Sequence, residues 1–202
     1  MNAQTQNSQR VFFIIFSIII FALFGLYFFF MTPSAKKPLP HYGTIHEFEL
    51  IDSQGKKFMS DSLKNKVWIA NFIFTTCAGP CPLMTKNLAS VYRSYLLAED
   101  VNFVSISANP GYDSPEVLKE YSGQYKADPD RWHFLTGPIE TIKRLSVDEF
   151  KIGSKENPVN HSTFFVLVDR NFRIRGYYDG TQQSGVKQLF KDTALLLKEK
   201  QP

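Results

Sequence analysis

The sequence is poor in cysteine and in net charge. Only two of its 202 residues are Cys, which argues against a disulfide-held miniprotein, an iron–sulfur cluster and a closed structural zinc site, since each of these needs more strong protein ligands or cross-links. The 23 Lys and Arg residues nearly balance the 19 Asp and Glu, giving a net charge of +4. The basic residues are scattered among acidic ones, so we expect no nucleic-acid partner.

One long apolar run is present near the amino terminus. Residues 11–31 carry no charge, and a helix of this length would be ~31 Å long, close to the ~30 Å hydrocarbon core of a bilayer. A cleaved signal peptide, with an apolar part of about 7–15 residues, is the alternative. We predict a short tail at residues 1–10, a transmembrane anchor at 11–31, a proline-containing linker at 32–46 and one soluble domain at 47–202.

The soluble part alternates strand and helix patterns. Residues 67–74 and 101–107 are apolar runs typical of strands buried on both faces. Helical spacing of apolar residues follows each run, a polar loop covers residues 148–160, and an antiparallel hairpin precedes the last helix. The order β-α-β-α-β-α-β-β-α predicts an α/β domain, a thioredoxin-like three-layer sandwich with a central mixed sheet.

Both cysteines lie just after the first buried strand, at Cys77 and Cys81. Pro82 fits the first turn of a helix, which would place Cys81 at the helix cap and Cys77 in the loop ahead of it. Backbone N–H groups and the helix dipole stabilise negative charge there, which favours the thiolate. Two thiolates suit soft ions such as Cu(I), whereas a disulfide across so short a loop would add only ~2 kcal/mol of stability. Two unrelated buried thiols are the alternative.

A third metal ligand would have to be a histidine, and the sequence offers His41, His46, His133 and His161. The first two lie in or beside the linker, and His133 lies within a short strand, so we expect these three to be solvated or structural. His161 ends the polar loop and precedes an apolar strand. In thioredoxin-like folds the segment that enters this strand packs beside the cysteine loop, so His161 is the predicted third ligand. A loop histidine bonded to its own backbone is the alternative.

Other side chains that could bind a metal ion are less favoured as ligands. We expect Met84 to pack in the core, and Asp148 and Glu149 to be solvated at the surface.

The sequence resembles the Sco/SenC family of copper-binding, thioredoxin-fold proteins of cytochrome c oxidase assembly. The resemblance runs in colinear order from about Phe48 to Leu197 and includes the apolar amino-terminal segment. The matching motifs are Phe74-Thr75-Thr76-Cys77 with Cys81-Pro82, Val104-Ser105-Ile106-Ser107, Asn109-Pro110, Asp113-Ser114-Pro115-Glu116, His161-Ser162, Val168-Asp169 and Ile174-Arg175-Gly176-Tyr177-Tyr178-Asp179-Gly180. The Cys motif together with a His-Ser pair before a strand makes the resemblance specific.

The resemblance implies a site of Cys77, Cys81 and His161 that holds Cu(I) or Cu(II). It implies copper delivery to the binuclear CuA centre of oxidase subunit II, or reduction of that subunit's cysteines. Other copper chaperones or thiol oxidoreductases would be further partners. The anchor would lie in a bacterial inner membrane with the domain in the periplasm, or in the mitochondrial inner membrane with the domain in the intermembrane space.

Three positions depart from the family pattern. Ala78 replaces a common Pro, and Asn109 replaces an Asp, which removes a charge. Phe172 stands where a turn Gly is common, and we expect Asn171 to adopt the positive φ instead.

Two functions fit the cysteine pair. A metallochaperone would use the histidine, whereas a membrane-anchored thiol–disulfide oxidoreductase using Cys77 and Cys81 would not need it. The three-residue spacing and His161 favour the metallochaperone. A peroxidase is less favoured because the Arg and Thr that would activate a peroxide cannot be assigned.

Overall fold

The computed structural model describes residues 3–31, 38–153 and 162–199, with the backbone alone for residues 3–12 and 29–31. It divides into two compact units, one ending at Pro38 and the other beginning at Leu39. The first contains one helix, α1, Ala3–Met31. We predicted a transmembrane helix at residues 11–31, but among the residues described no helix is long and apolar enough to cross a membrane.

The second unit contains eight strands and four α-helices in its described residues. They are β1 Gly43–Thr44, β2 Glu49–Asp52, β3 Lys57–Met59, β4 Val67–Ile73, α2 Cys81–Ser94, β5 Val101–Ser107, α3 Pro115–Gln124, β6 Trp132–Thr136, α4 Ile139–Arg144, β7 Phe164–Val168, β8 Arg173–Asp179 and α5 Gln183–Lys198. A 3₁₀ turn at Ser60–Leu63 and a π-helical turn at Leu145–Glu149 complete the set. From β4 onwards the predicted order is confirmed.

All eight strands form one mixed sheet in the order β1-β8-β7-β4-β5-β6-β2-β3. The central strands β4, β5 and β6 are parallel, and every other pairing is antiparallel. The parallel strands therefore end at the same edge of the sheet, after Ile73, Ser107 and Thr136. Because β7 is antiparallel to β4, it begins at that edge. We call it the carboxyl edge.

Apolar residues cover both faces of the sheet. One cluster joins Ile69 and Phe103 of the sheet to α2, α3 and α5, and the other joins Trp68 and Val104 to α4 and the π-helical turn. Both faces are buried because the central strands are apolar on each side, as β4 and β5 are throughout except for Asn71, Asn102 and two serines. This arrangement agrees with the predicted three-layer sandwich.

The domain begins earlier in the chain than predicted. Gly43 and Thr44 pair with β8, and Ile45 is only 2% exposed, so residues 39–46 belong to the domain rather than to a linker. Residues 32–37, the rest of the predicted linker, lie outside the described residues.

The first residues of the domain, Leu39 and Pro40, are held in place through a β-bulge in β8. Leu167 pairs with Gly176 but Val168 pairs with Ile174, so Arg175 is the extra residue, and a bulge re-aims such a side chain. The buried Arg175 guanidinium donates to the carbonyl oxygens of Leu39 at 2.8 Å and Pro40 at 3.0 Å. It also pairs with Asp169 and Glu199.

The expectation for the last hairpin turn was wrong. Phe172, not Asn171, has the positive φ, at 61°. The ring of Phe172 is buried, with its centroid 5.6 Å from that of Trp68. Burial of the ring compensates for the strained backbone at this position.

Candidate metal centre

The cysteine loop leaves β4 at the carboxyl edge. The Cys77 N–H donates to the carbonyl oxygen of Phe74 at 3.2 Å, which closes a tight turn. Cys81 is the first residue of α2, and the Met84 N–H donates to Pro80 at 2.9 Å to open the helix. The helix thus starts beside both sulfurs, with Pro80 at the cap position, one place earlier than predicted.

The two thiols are free, buried and unequal. Cys77 is 8% and Cys81 6% exposed. Burial opposes ionisation of Cys77, but hydrogen bonds from the Cys81 N–H, the Cys81 thiol and the Gly79 N–H outweigh it and lower its pKa below 9.0. The Gly79 nitrogen lies 3.4 Å from the Cys77 sulfur. Burial raises the pKa of Cys81 to about 12, and its bond to Cys77 adds to the rise. Cys77 is therefore the thiol of this coupled pair that ionises more readily.

A buried carboxylate, which the sequence analysis named only as part of a family motif, supports the Cys77 turn. Asp113 is 0% exposed and accepts hydrogen bonds from Thr75 and Ser107. Its signal in the sequence was its place shortly after a buried strand, at the edge where the cysteine loop also starts.

The Cys81 end of the loop has a separate support. The Thr85 hydroxyl donates to the Cys81 carbonyl oxygen at 2.9 Å and lies 3.0 Å from the Tyr121 hydroxyl of α3. Met84 is 1% exposed and packs in the apolar cluster, as expected.

Three of the candidate histidines are placed away from a metal site. His41 is exposed, and its Nε2 lies 3.4 Å from Thr44 Oγ1. The His46 Nδ1 lies 2.9 Å from Glu149 Oε2. His133 is half-buried in β6 with its ring centroid 4.7 Å from that of Phe58, and removal of its ring from water is the main cause that lowers its pKa to about 4.

Glu149 does not match its expected surface position. Its side chain is 8% exposed, and it pairs with Arg144 and with His46. The π-helical turn, which replaces the start of the predicted loop, directs it inward.

The predicted ligand His161 lies outside the described residues. Its neighbourhood is partly defined, because Phe164 begins β7 and the Thr163 carbonyl oxygen accepts the Gly180 N–H at 2.7 Å. Thr163, directly before β7, therefore lies at the carboxyl edge, where the cysteine loop also begins. Within the described ranges, no group of three or more His, Cys, Asp or Glu side chains could hold a metal ion.

Fold and site together define a thioredoxin-like domain with a dithiol at the start of a helix. The family model of SCO1/SenC matches residues 36–197, and the chain belongs to this family. The SCO1 protein homolog of Bacillus subtilis is 32% identical over 179 residues, which cover 83% of this chain and 91% of that protein.

Two solved structures extend the comparison. BsSco is a member of the Sco family of cytochrome c oxidase assembly proteins in which a disulfide switch was identified. Its structure has a TM-score of 0.70 and 28% identity, covering 81% of this chain and 100% of that one. Yeast Sco1 with copper bound has a TM-score of 0.62 and 25% identity, covering 81% and 98%.

Proposed function

We propose that this protein is a copper metallochaperone that binds one copper ion through Cys77, Cys81 and His161. The observation that carries the proposal is the buried, unequal thiol pair at the start of α2, at the edge of the sheet where β7 begins. Copper bound in the yeast relative supports it.

The thiol pair has the chemistry that a soft metal needs. Thiolates select Cu(I) over harder ions, and the donors around the Cys77 sulfur already favour its thiolate. Cys81 holds its proton more firmly, so binding of copper to both sulfurs would release that proton. We therefore expect copper affinity to rise with pH.

His161 would supply a nitrogen ligand, which also suits Cu(II). The support for this residue is topological, since the described part of the chain places the start of β7 beside the end of β4. A site of two sulfurs and one imidazole would accept copper in either oxidation state.

The cargo would go to the CuA centre of cytochrome c oxidase subunit II, or the thiols would reduce that subunit's cysteines. The membership of BsSco in a family of cytochrome c oxidase assembly proteins supports this role. The protein would then act in the periplasm or the mitochondrial intermembrane space, and other copper chaperones or thiol oxidoreductases would load or reduce it.

We also propose that residues 11–31 keep the domain at the membrane that holds the oxidase. The support is the exposed apolar surface of α1, on which Phe21 is 80% and Phe13 65% exposed.

Copper competition tests the ligand set. We expect the purified protein to take up one Cu(I) from a chromophoric chelator, and Cys77→Ser, Cys81→Ser and His161→Ala each to weaken binding by about 100-fold, or about 2.7 kcal/mol. His41→Ala is the matched control, because His41 is an exposed histidine outside the site, and it should bind like the parent. Full-strength binding by either serine variant would place the site elsewhere.

A second candidate function is thiol–disulfide exchange, favoured by the same inequality of the thiols. The Cys77 thiolate would attack a partner disulfide and release one partner thiol. Cys81 would then displace the second partner thiol and leave a Cys77–Cys81 disulfide, so that the partner is reduced and this protein oxidised. His161→Ala separates the two functions, because it should weaken copper binding and spare exchange.

A further inference from the structure

Asp113 is a carboxylate buried without a cationic partner. It lies between β5 and α3, directly before Ser114, the N-cap of α3, and none of its surface is exposed. None of the ion pairs formed by the described residues includes it. A carboxylate in such a position is costly unless hydrogen bonds replace its water, so its donors indicate what it does.

The donors come from the ends of two neighbouring strands. Thr75, after β4, donates its hydroxyl to Oδ1 at 2.5 Å and its N–H at 3.3 Å. Ser107, the last residue of β5, donates its hydroxyl to Oδ2 at 2.6 Å. These hydroxyl distances are typical of charge-assisted bonds. The Asp113 N–H also donates to the Asn109 carbonyl oxygen at 2.9 Å, which folds the loop back onto the strand end.

The bonds to Thr75 reach the cysteine turn. Thr75 lies inside the turn that the Cys77 N–H closes on Phe74. Cys81, in contrast, is fixed by α2 and by Thr85. The position of Cys77 relative to Cys81 depends on this turn, and the bonds between Asp113 and Thr75 hold one of its residues.

We propose that Asp113 is a positioning residue of the dithiol site: through Thr75 it holds the turn that carries Cys77 beside the start of α2, so that both sulfurs can bind one metal ion. The inference rests on the proposed copper-binding function. It assigns to Asp113 no contact with the metal.

Two substitutions that preserve shape test the inference. Thr75→Val removes the hydroxyl donor at a half-buried position, and Asp113→Asn puts an amide donor in place of one acceptor oxygen. We expect each to lower Cu(I) affinity by about 10–100-fold, the usual effect of losing a residue that orients a ligand. The double variant should bind about as weakly as Asp113→Asn alone, because both changes remove the same bonds.

A measurement without copper accompanies the affinities. Oxidised glutathione converts the dithiol into the Cys77–Cys81 disulfide in two exchanges, each of which releases one reduced glutathione. The second exchange needs the two sulfurs in contact, so both single variants should slow it.

Asp192→Asn is the matched control. Asp192 is a buried carboxylate of α5 that accepts hydrogen bonds from Tyr178 at 2.9 Å and Gln188 at 2.9 Å, away from the cysteine loop. This variant should lower the free energy of unfolding and leave the copper affinity and the ring-closure rate unchanged.

The outcomes are distinct. Parental affinity and parental ring-closure rate in both Thr75→Val and Asp113→Asn would overturn the inference, and so would an equal loss of affinity in Asp192→Asn. Failure of the unsubstituted protein to bind Cu(I) would instead overturn the proposed function, and the ring-closure rates would still decide the role of Asp113.

Discussion

At the scale of single residues, His133 makes the free energy of unfolding depend on pH. Burial, and to a smaller extent Lys66, lower its pKa from 6.5 to about 4. The unfolded chain therefore binds a proton that the folded protein excludes between these two pH values. The stabilisation is complete above about pH 6.5 and is lost as the pH falls towards 4.

We expect the free energy of unfolding to fall by about 2 kcal/mol between pH 7 and pH 5 because of this one residue. Urea denaturation at the two pH values measures the change. His133→Gln, which cannot take up the proton, should lose correspondingly less, whereas His41→Gln should behave like the parent. An equal loss in the parent and in His133→Gln would assign the pH dependence to other groups.

The site shows which residues a sequence can reveal. The position of Cys77 and Cys81 between a buried strand and a helix was predictable, because the strand, the cysteine pair and a proline are adjacent in the chain. The role of Asp113 was not predictable, because it depends on hydrogen bonds from Thr75 and Ser107, which approach Asp113 only in the folded chain. Glu149 was expected at the surface for the same reason, since its partner His46 is distant in sequence.

At the scale of elements, the hairpin of β7 and β8 contains the strained residue Phe172. A positive φ costs a residue with a Cβ about 1–2 kcal/mol, and removal of a buried Phe ring costs about 3–5 kcal/mol. Burial is thus the larger effect, although glycine is the usual residue for this backbone conformation.

We therefore expect Phe172→Gly to lower the free energy of unfolding by about 2 kcal/mol. Thermal or urea denaturation measures it. Asn171→Gly is the control, because it changes the neighbouring turn residue without removing a buried ring, and its effect should be below about 1 kcal/mol. A gain in stability for Phe172→Gly would show that strain outweighs packing in this turn.

The long elements were predictable from the sequence, whereas β1 and the π-helical turn were not. The apolar runs of β4 and β5 identify buried strands by themselves. In contrast, β1 has only two residues, and its pairing with β8 depends on the register of the hairpin rather than on any local pattern. The π-helical turn at Leu145–Glu149 likewise carries no periodicity of its own.

At the scale of the whole molecule, the chain joins an apolar helix to a folded domain that begins at Leu39. We expect the full chain to sediment with phospholipid vesicles and to need detergent for extraction, whereas residues 38–202 should remain in the supernatant. The physical reason is that the exposed Phe, Ile and Leu side chains of α1 lose contact with water in lipid.

Replacement of Phe21 and Phe24 by Lys tests whether apolarity causes the binding. A charged lysine is costly to move from water into an apolar environment, so this variant should shift towards the supernatant. A full chain that stays soluble without detergent would contradict membrane attachment.

The β-bulge at Arg175 has a consequence for access to the thiols. Arg175 lies towards the end of β8 that pairs with the start of β1, whereas Asp179, at the other end, pairs with Phe164 at the carboxyl edge. By holding Leu39 and Pro40, the guanidinium fixes the attachment point of the preceding chain at the edge opposite the cysteines. Leu39 and Pro40 therefore lie at the end of β8 away from Phe164, and a docking protein that approaches the thiols would not meet these two residues.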